Sequence, residues 1–543
     1  PNRAIFWGLT ICGSLVRVYN SGPDFVLSSA DLDVRSSDGR KQFVEWLVNM
    51  SLGEDDRRGF DTAVQLVDDG VGGKCWKFYV PMVDSDGNST NETKLYYSRC
   101  PTFAAGTSFG RNTRGFPATE DISNIDEPNV YIKTAWQHME PESDLKRPSE
   151  LKCLLKLAKM LDEHPKSSIH TPHLKAGGVM AVRRSDGTSM PMTTTNYYGK
   201  AVLKRLAGAN EDEFDQIGQE AGSALFTTPR GRHVFVTSPY CDPLNTATSV
   251  HELIIVLYHA MRTHSWALET CNLLHRDISA NNIMIKRGKA ENGNLLIHGI
   301  LIDYDCAIHP GVERVARPER TGTKPFMSVL NLEAHPDERT ELDDWESMFY
   351  VLCFLATFGI NHADREILTK AREPGLKIRL KIMEWHANRG MADIADDKRS
   401  HLDSLKSFIG DIAGRFPAPA QGSELPDYRP LRNLAIDLYK AMFQNEEVGE
   451  ECWGARKQDD FIGPSVVAAP AADDEDSDEY GDIPQKSIKG LTIDPSSPTN
   501  EPVETTPNDP FVSRAVFANR AVIIKSLQRT LKSHAKQARA SFL

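Results

Sequence analysis

Apolar residues along this chain recur with two different periods. In "SELKCLLKLAKMLDEH", Leu151, Leu154, Leu155, Ala158 and Leu161 repeat at helical spacing behind Ser149, whose hydroxyl can cap a first turn, so a helix is predicted from about residue 149. Two more helices are predicted over "SVHELIIVLYHAMRTHSWALETC" and "ELDDWESMFYVLCFLATFG". The second is nearly all apolar after Ser347 and reads as buried. Earlier, strand-like runs dominate: "SLVRVYN", "KCWKFYVPMV" and "TKLYYSR" accompany one helical stretch, "GRKQFVEWLVNMSL", in which Phe43, Leu47 and Met50 share a face. This pattern predicts a small α+β unit over residues 1–100. In "VDSDGNSTNET" the glycine falls too early for a calcium loop, and a hairpin turn on Asp86-Gly87 is expected instead.

Composition changes the picture near residue 463. From there the chain is rich in Pro, Ser, Thr and acid with few large apolar groups, which predicts a disordered linker over 449–510. The tail, 511–543, carries Lys and Arg without Asp or Glu, and Phe511, Ala515, Ala518, Val522 and Leu531 suggest one face of an amphipathic helix. The acidic body, a membrane surface or a nucleic acid are the partners open to it.

A length of 543 residues predicts several structural units. The net charge of −12 argues against a nucleic-acid binder acting through the whole chain. No apolar run approaches the ~18 residues of a membrane span, and the start of the chain has no clean signal-cleavage site. The nine cysteines are scattered with no C-x-x-C pair, which fits reduced thiols and an intracellular setting, cytoplasm or nucleus.

The candidate chemistry centres on "LLHRDISANNIMI", where polar groups stand between apolar runs. Transfer of a phosphoryl group needs a carboxylate facing the acceptor hydroxyl and oxygen ligands for a metal beside crowded phosphates. The Asp-x-x-x-x-Asn spacing suits Asp277 to the first task and Asn282 to the second. The runs "NIMI" and "GNLLIHGILIDYDCAI" read as a two-stranded ribbon that delivers Asp303 as a second metal ligand. Upstream, Lys133 in the strand-like "NVYIKTAW" suits phosphate binding, with Glu150 on the next helix as its partner and Glu142 as second choice. The glycines of "GTSFGRNTRGFPA", Gly106, Gly110 and Gly115, would let backbone N–H groups approach phosphate, although an ordinary loop fits them equally well.

These motifs, with "RTGTKPFM" and "DDWESMFYVL", resemble the fungal-type protein kinase family over roughly residues 14 to 360. "GPDFVLSSADLDV", "FVEWLVNM" and "RRGFDTAV" are similar to the region that family carries before its kinase lobes, and "LPDYRPLRNLAIDLY" resembles a C-lobe helix of casein-kinase-like enzymes. The resemblance implies an α+β, bilobal protein-kinase-like fold, with an N-lobe over 101–240 and a C-lobe over 241–448. It implies phosphorylation of Ser or Thr in protein substrates, with ATP and Mg2+. Thr323 would bond the catalytic Asp277, Asp344 would tie down the catalytic loop, and His275 and Arg276 would frame it. Arg276 implies an anionic partner, which phosphorylated Thr321 or unmodified Glu319 would provide.

Three departures from the usual kinase pattern stand out: Ser279 where a lysine is common, Tyr304-Asp305 in place of Phe-Gly, and no Ala-Pro-Glu after the activation segment. Two alternatives follow, a pseudokinase acting as a nucleotide-binding interaction module and a kinase-like small-molecule phosphotransferase. Thr323 and Asp344 speak against the latter.

Overall fold

The computed structural model describes residues 5–23, 26–53, 55, 58–105, 111–139, 148–163, 169–183, 187–198, 229–289, 295–311, 322–333, 339–371, 381–386, 389–418, 425–444 and 517–542. Strands β1 (Phe6–Cys12), β2 (Leu15–Ser21), β3 (Val26–Ser28) and β4 (Leu32–Asp33) form an antiparallel sheet in which β2 pairs with each of the others. Helix α1 (Ser37–Leu52) follows, capped by Ser36, whose hydroxyl accepts from the Gly39 N–H at 3.0 Å. The apolar face expected of this helix does not enter a core, because Leu47 is 40% exposed and Gly39 is its one buried residue. Its contact to the sheet is aromatic instead: Phe43 stacks on Trp46, and Trp46 meets Trp7 of β1 edge-on, ring centroids 6.4 Å apart.

Strands β5 (Val64–Asp68), β6 (Lys74–Val83) and β7 (Ser89–Ser98) make a second antiparallel sheet. The predicted hairpin joins β6 to β7. Gly87 takes the left-handed φ of 87° that favours glycine, and the Asp84 carboxylate accepts from the Asp86 and Asn88 N–H groups at 2.9 Å each.

A five-stranded sheet comes next, built from β8 (Phe103–Ala104), β9 (Arg114–Ala118), β10 (Val130–His138), β11 (His173–Val179) and β14 (Arg230–Ser238), in the order β11-β14-β10-β9-β8. Helix α2 (Glu150–Glu163) separates β10 from β11, and the β12 (Ala181–Arg183) and β13 (Ser189–Pro191) pair with α3 (Thr194–Tyr198) precede β14. Strand alternation sends Ile132 and Trp136 of β10 into one core with Val234 and Val236 of β14, and leaves Lys133 on the opposite face. Phe78, Val80 and Tyr96 of the second sheet fill the same core, so residues on both sides of position 100 bury one another.

The remainder is mainly helical. Strand β15 (Asp242–Pro243) pairs with β16 (Ile283–Lys289), and β16 with β17 (Leu295–Leu301). The long helix α4 (Val250–Cys271) starts at Ser249, whose hydroxyl accepts from Glu252 N–H at 3.1 Å. Helices α5 (Val329–Leu332), α6 (Glu341–Phe358), α7 (His362–Ala371), α8 (Ile382–Trp385), α9 (Met391–Leu402), α10 (Leu405–Asp411) and α11 (Arg429–Tyr439) then gather around α6. As its apolar run predicts, α6 is buried from Leu342 through Cys353.

The last helix, α12 (Phe517–Phe542), buries Ile523, Leu527, Leu531, Ala535 and Ala538 in the same core. Gln528 Nε2 donates to Ser265 Oγ of α4 at 3.1 Å, and His534 Nε2 donates to Asp437 Oδ2 of α11 at 3.1 Å. The apolar face agrees with the expected one at Leu531 and departs from it at Val522. Val522 is 48% exposed, because the buried stripe starts one residue later and neighbouring residues on a helix are turned by ~100°. Phe511, Ala515, the Ala518 side chain, Ser477 and the predicted linker lie outside the described residues. No described helix is long and apolar enough to cross a membrane.

Three partly buried histidines make stability depend on pH. Burial holds His170, His298 and His386 down at about 4, and neighbouring cations push the same way. In the unfolded chain a histidine titrates near ~6.5. On acidification the unfolded chain therefore binds protons first, and stability falls as the pH drops from ~6.5 towards 4. His264, whose pKa rises beside Asp344 despite its burial, and Glu150, pushed up to about 7 by burial, have the opposite sign and offset part of this. The urea midpoint is expected to fall steadily between pH 7 and pH 4.5; a midpoint constant over that range would contradict the shifts.

Candidate active site

Lys133 sits on β10 directly opposite Gly115 of β9. Its Nζ donates to both Glu150 oxygens, at 2.9 and 2.7 Å, and to Asp303 Oδ1 at 2.6 Å. Alternation along β10 places Gln137 on the same face, and its Nε2 donates to Glu150 Oε2 at 3.0 Å. Glu150 reaches this point from the first turn of α2, and Asp303 from the end of β17, where its backbone is left-handed at φ 67°. One ammonium thus serves two carboxylates in a largely buried setting. Burial, joined by the charges of Asp303 and Asp305, pushes Glu150 up to about 7 against the pull of Lys133. Asp303 is held at about 2, because Lys133 and Arg111 outweigh its burial. Lys133 is raised by both carboxylates, again against burial.

Arg111 forms an ion pair with Asp305, a contact that sequence reasoning missed. The Arg111 carbonyl accepts from Trp136 N–H at 2.7 Å, which fixes the loop to β10. The only signal for it was a cation directly after Gly110. Gly110, Gly106 and Glu142 lie outside the described residues. Gly115 has a clear structural reason: a Cβ there would come within 1.6 Å of the Tyr131 hydroxyl, and its carbonyl already accepts from Thr102 N–H at 2.9 Å.

The second half of the site hangs from Asp344. This fully buried carboxylate accepts from Arg276 N–H at 2.9 Å, from His264 Nε2 at 2.8 Å and from Arg339 at 3.2 Å. Burial works against its charge, but Arg339 and His264 hold it well below the usual carboxylate range. The loop it anchors carries Arg276 at φ 69° and turns Asp277 towards Thr323, whose N–H and hydroxyl both donate to Asp277 Oδ1 at 2.9 Å. Gly322 stands beside this junction at φ 122°, a conformation that favours glycine.

His275 is buried, and that burial keeps it neutral. Its Nε2–H donates to the Ile302 carbonyl at 2.9 Å, and its Nδ1 accepts from Asp277 N–H at 3.3 Å, which fixes one tautomer. Asn282 Nδ2 donates to the Asp277 carbonyl at 2.8 Å, and Ile302 N–H donates to the Asn282 carbonyl at 2.9 Å, so Asn282 and Asp303 stand side by side. Thr321 and Glu319 lie outside the described residues.

Asn282 and Asp303 present hard oxygens. Among the described residues, no group of three or more His, Cys, Asp or Glu could hold a metal by itself. An amide oxygen plus one carboxylate suits Mg2+, which takes few protein ligands and completes its shell from phosphate and water.

Comparison with known proteins places the chain. The model of a family described as fungal protein kinase matches residues 1–356. No curated protein matches the chain.

Proposed function

The chain belongs to the fungal protein kinase family, and from that premise we propose that it transfers the γ-phosphoryl group of Mg-ATP to Ser or Thr hydroxyls of protein substrates, using a bilobal kinase fold. The observation that carries this is the meeting of Lys133 and Asp303, 170 residues apart in the chain, at 2.6 Å. Lys133, held by Glu150, binds phosphate. Asn282 and Asp303 are the residues that would hold Mg2+, which would supply neutralisation of phosphate charge. Asp277 commits Oδ1 to Thr323, so Oδ2 is the oxygen that faces the acceptor hydroxyl and takes its proton. Thr323, fixed to the same carboxylate, forms the wall against which a Ser or Thr side chain lies. An intracellular setting belongs to the same proposal, and rests on nine cysteines scattered along the sequence without a C-x-x-C pair.

A second reading, a nucleotide-binding pseudokinase, is favoured by one contact. The Asp305–Arg111 pair ties the loop after the glycines to the residues next to Asp303, where related enzymes carry glycine. Incubation with Mg-ATP and a degenerate peptide library, followed by mapping of the modified residues, separates the two. Phosphoserine or phosphothreonine is expected; ATP binding without any transfer would favour the second reading.

A further inference from the structure

Helix α9 carries a lysine in the middle of an apolar stripe. Ile394, Lys398 and Leu402 are four residues apart and all fully buried, so the Lys398 ammonium cannot reach water by extending its stem. Its Nζ donates to the Pro325 carbonyl at 2.8 Å and to the Met327 carbonyl at 2.7 Å. It also lies 3.6 Å from the centroid of the Tyr350 ring and 5.6 Å from that of Trp385. An ammonium has three N–H bonds and no lone pair. Two carbonyls and one aromatic face use all three, whereas a neutral amine would turn its lone pair towards the ring. Burial pulls the Lys398 pKa well down, and the charge of Glu346 opposes that pull.

Both carbonyls belong to the turn that begins at Thr323. Within it, Phe326 N–H donates to the Thr323 carbonyl at 2.8 Å and Met327 N–H to the Lys324 carbonyl at 3.2 Å. Thr323 holds one end of the turn on Asp277, and Lys398 holds the other. The chain beyond is fixed on α6, by Ser328 Oγ donating to Asp343 Oδ1 at 2.6 Å and by Val329 N–H donating to Glu346 Oε1 at 2.8 Å.

We propose that Lys398 is a positioning residue for the phosphoryl acceptor: by gripping Pro325 and Met327 it sets Thr323 against Asp277 and so fixes where a Ser or Thr of a protein substrate binds. The role rests on the phosphotransfer reading of the site. It lies beyond residues 1–356, the part matched by the family. Among the described residues Lys133, Glu150 and Asp303 bond one another and not this turn, so the effect falls on the acceptor side and spares ATP.

The test compares wild type with Lys398→Met, which keeps the stem and removes the donors, and Lys398→Arg, which keeps charge and donors. Phe408→Ala, a core truncation in α10 away from the turn, controls for lost stability. Misplacing the acceptor is expected to lower kcat/KM for a peptide by about 100-fold in Lys398→Met. KM for ATP should stay within about twofold, Lys398→Arg should recover most of the loss, and the Phe326 and Met327 amides should exchange hydrogen faster. Lys398→Gln, which keeps one donor arm, replaces the Met variant if that variant does not fold. Unchanged peptide kinetics, unchanged exchange at these two amides, or an equal loss in Phe408→Ala would overturn the role. A wild type that transfers no phosphate would instead overturn the kinase reading itself, and acceptor positioning with it.

Discussion

Asp277→Asn is expected to lower kcat by about 1,000-fold, within the range general-base removal typically causes, while leaving the fold and ATP affinity unchanged. The asparagine oxygen can still accept both bonds that Thr323 makes to Asp277 Oδ1. The Asn282 amide bonds the backbone carbonyl of residue 277, not its side chain, so that contact survives too. What disappears is the second carboxylate oxygen, the one available to take the acceptor's proton. A fall in kcat with an equal fall in kcat/KM for the peptide, at constant thermal stability, is the expected signature. A variant as active as wild type would leave Asp277 with a structural role only.

Lys133→Met should cost both activity and stability, and its stability cost should depend on pH. The change removes every donor that Lys133 offers to Glu150, which is 4% exposed, and to Asp303. Breaking a buried pair from one side costs about 3–5 kcal/mol, because a charge is left without its partner. Burial and neighbouring carboxylates already push Glu150 up to about 7, and losing Lys133 pushes it further. Wild type and variant share the unfolded value, so the variant's deficit grows as pH rises through about 7, where Glu150 ionises in the wild type and stays protonated in the variant. Adding Glu150→Gln removes the orphaned charge, and the double variant should regain much of the lost stability while remaining inactive. Chemical unfolding of the single and double variants at pH 5 and pH 8 checks this. A deficit independent of pH would show that Glu150 is not the group left exposed to the loss.

Much of this site was legible because its parts stand in regular elements. The strand-like run around Lys133 and the helix after it marked the lysine, a capped apolar helix placed Glu150 in a first turn, and the ribbon after Asn282 carried Asp303 back beside it. The Asp344 anchor was expected only from the family resemblance, and the structure shows its carboxylate accepting from Arg276 N–H. Other contacts had no local signal. Arg111 meets Asp305 across 194 residues from a loop with no period of its own. Lys398 lies in "DDKRS", whose charged neighbours suggest a solvated face, and its stripe from Ile394 to Leu402 becomes meaningful only once two turn carbonyls are seen facing it. Of the expected α12 face, Leu531 is buried as read and Val522 is exposed, because the stripe that meets the core runs through Ile523, Leu527 and Leu531. In α1 the helix was correctly expected, but helical spacing does not say whether a partner covers its apolar side, and Leu47 stays exposed.

In the proposed reading, phosphoryl transfer from Mg-ATP depends on Asp277 and Lys133 together. Single-turnover transfer from γ-labelled ATP to a Ser/Thr peptide, measured for wild type, Asp277→Asn and Lys133→Met with magnesium present and then chelated, tests it most directly. Labelled peptide is predicted with wild type and magnesium, and almost none in the other cases. Equal labelling by wild type and Asp277→Asn, or no labelling by wild type while Mg-ATP remains bound, would contradict it.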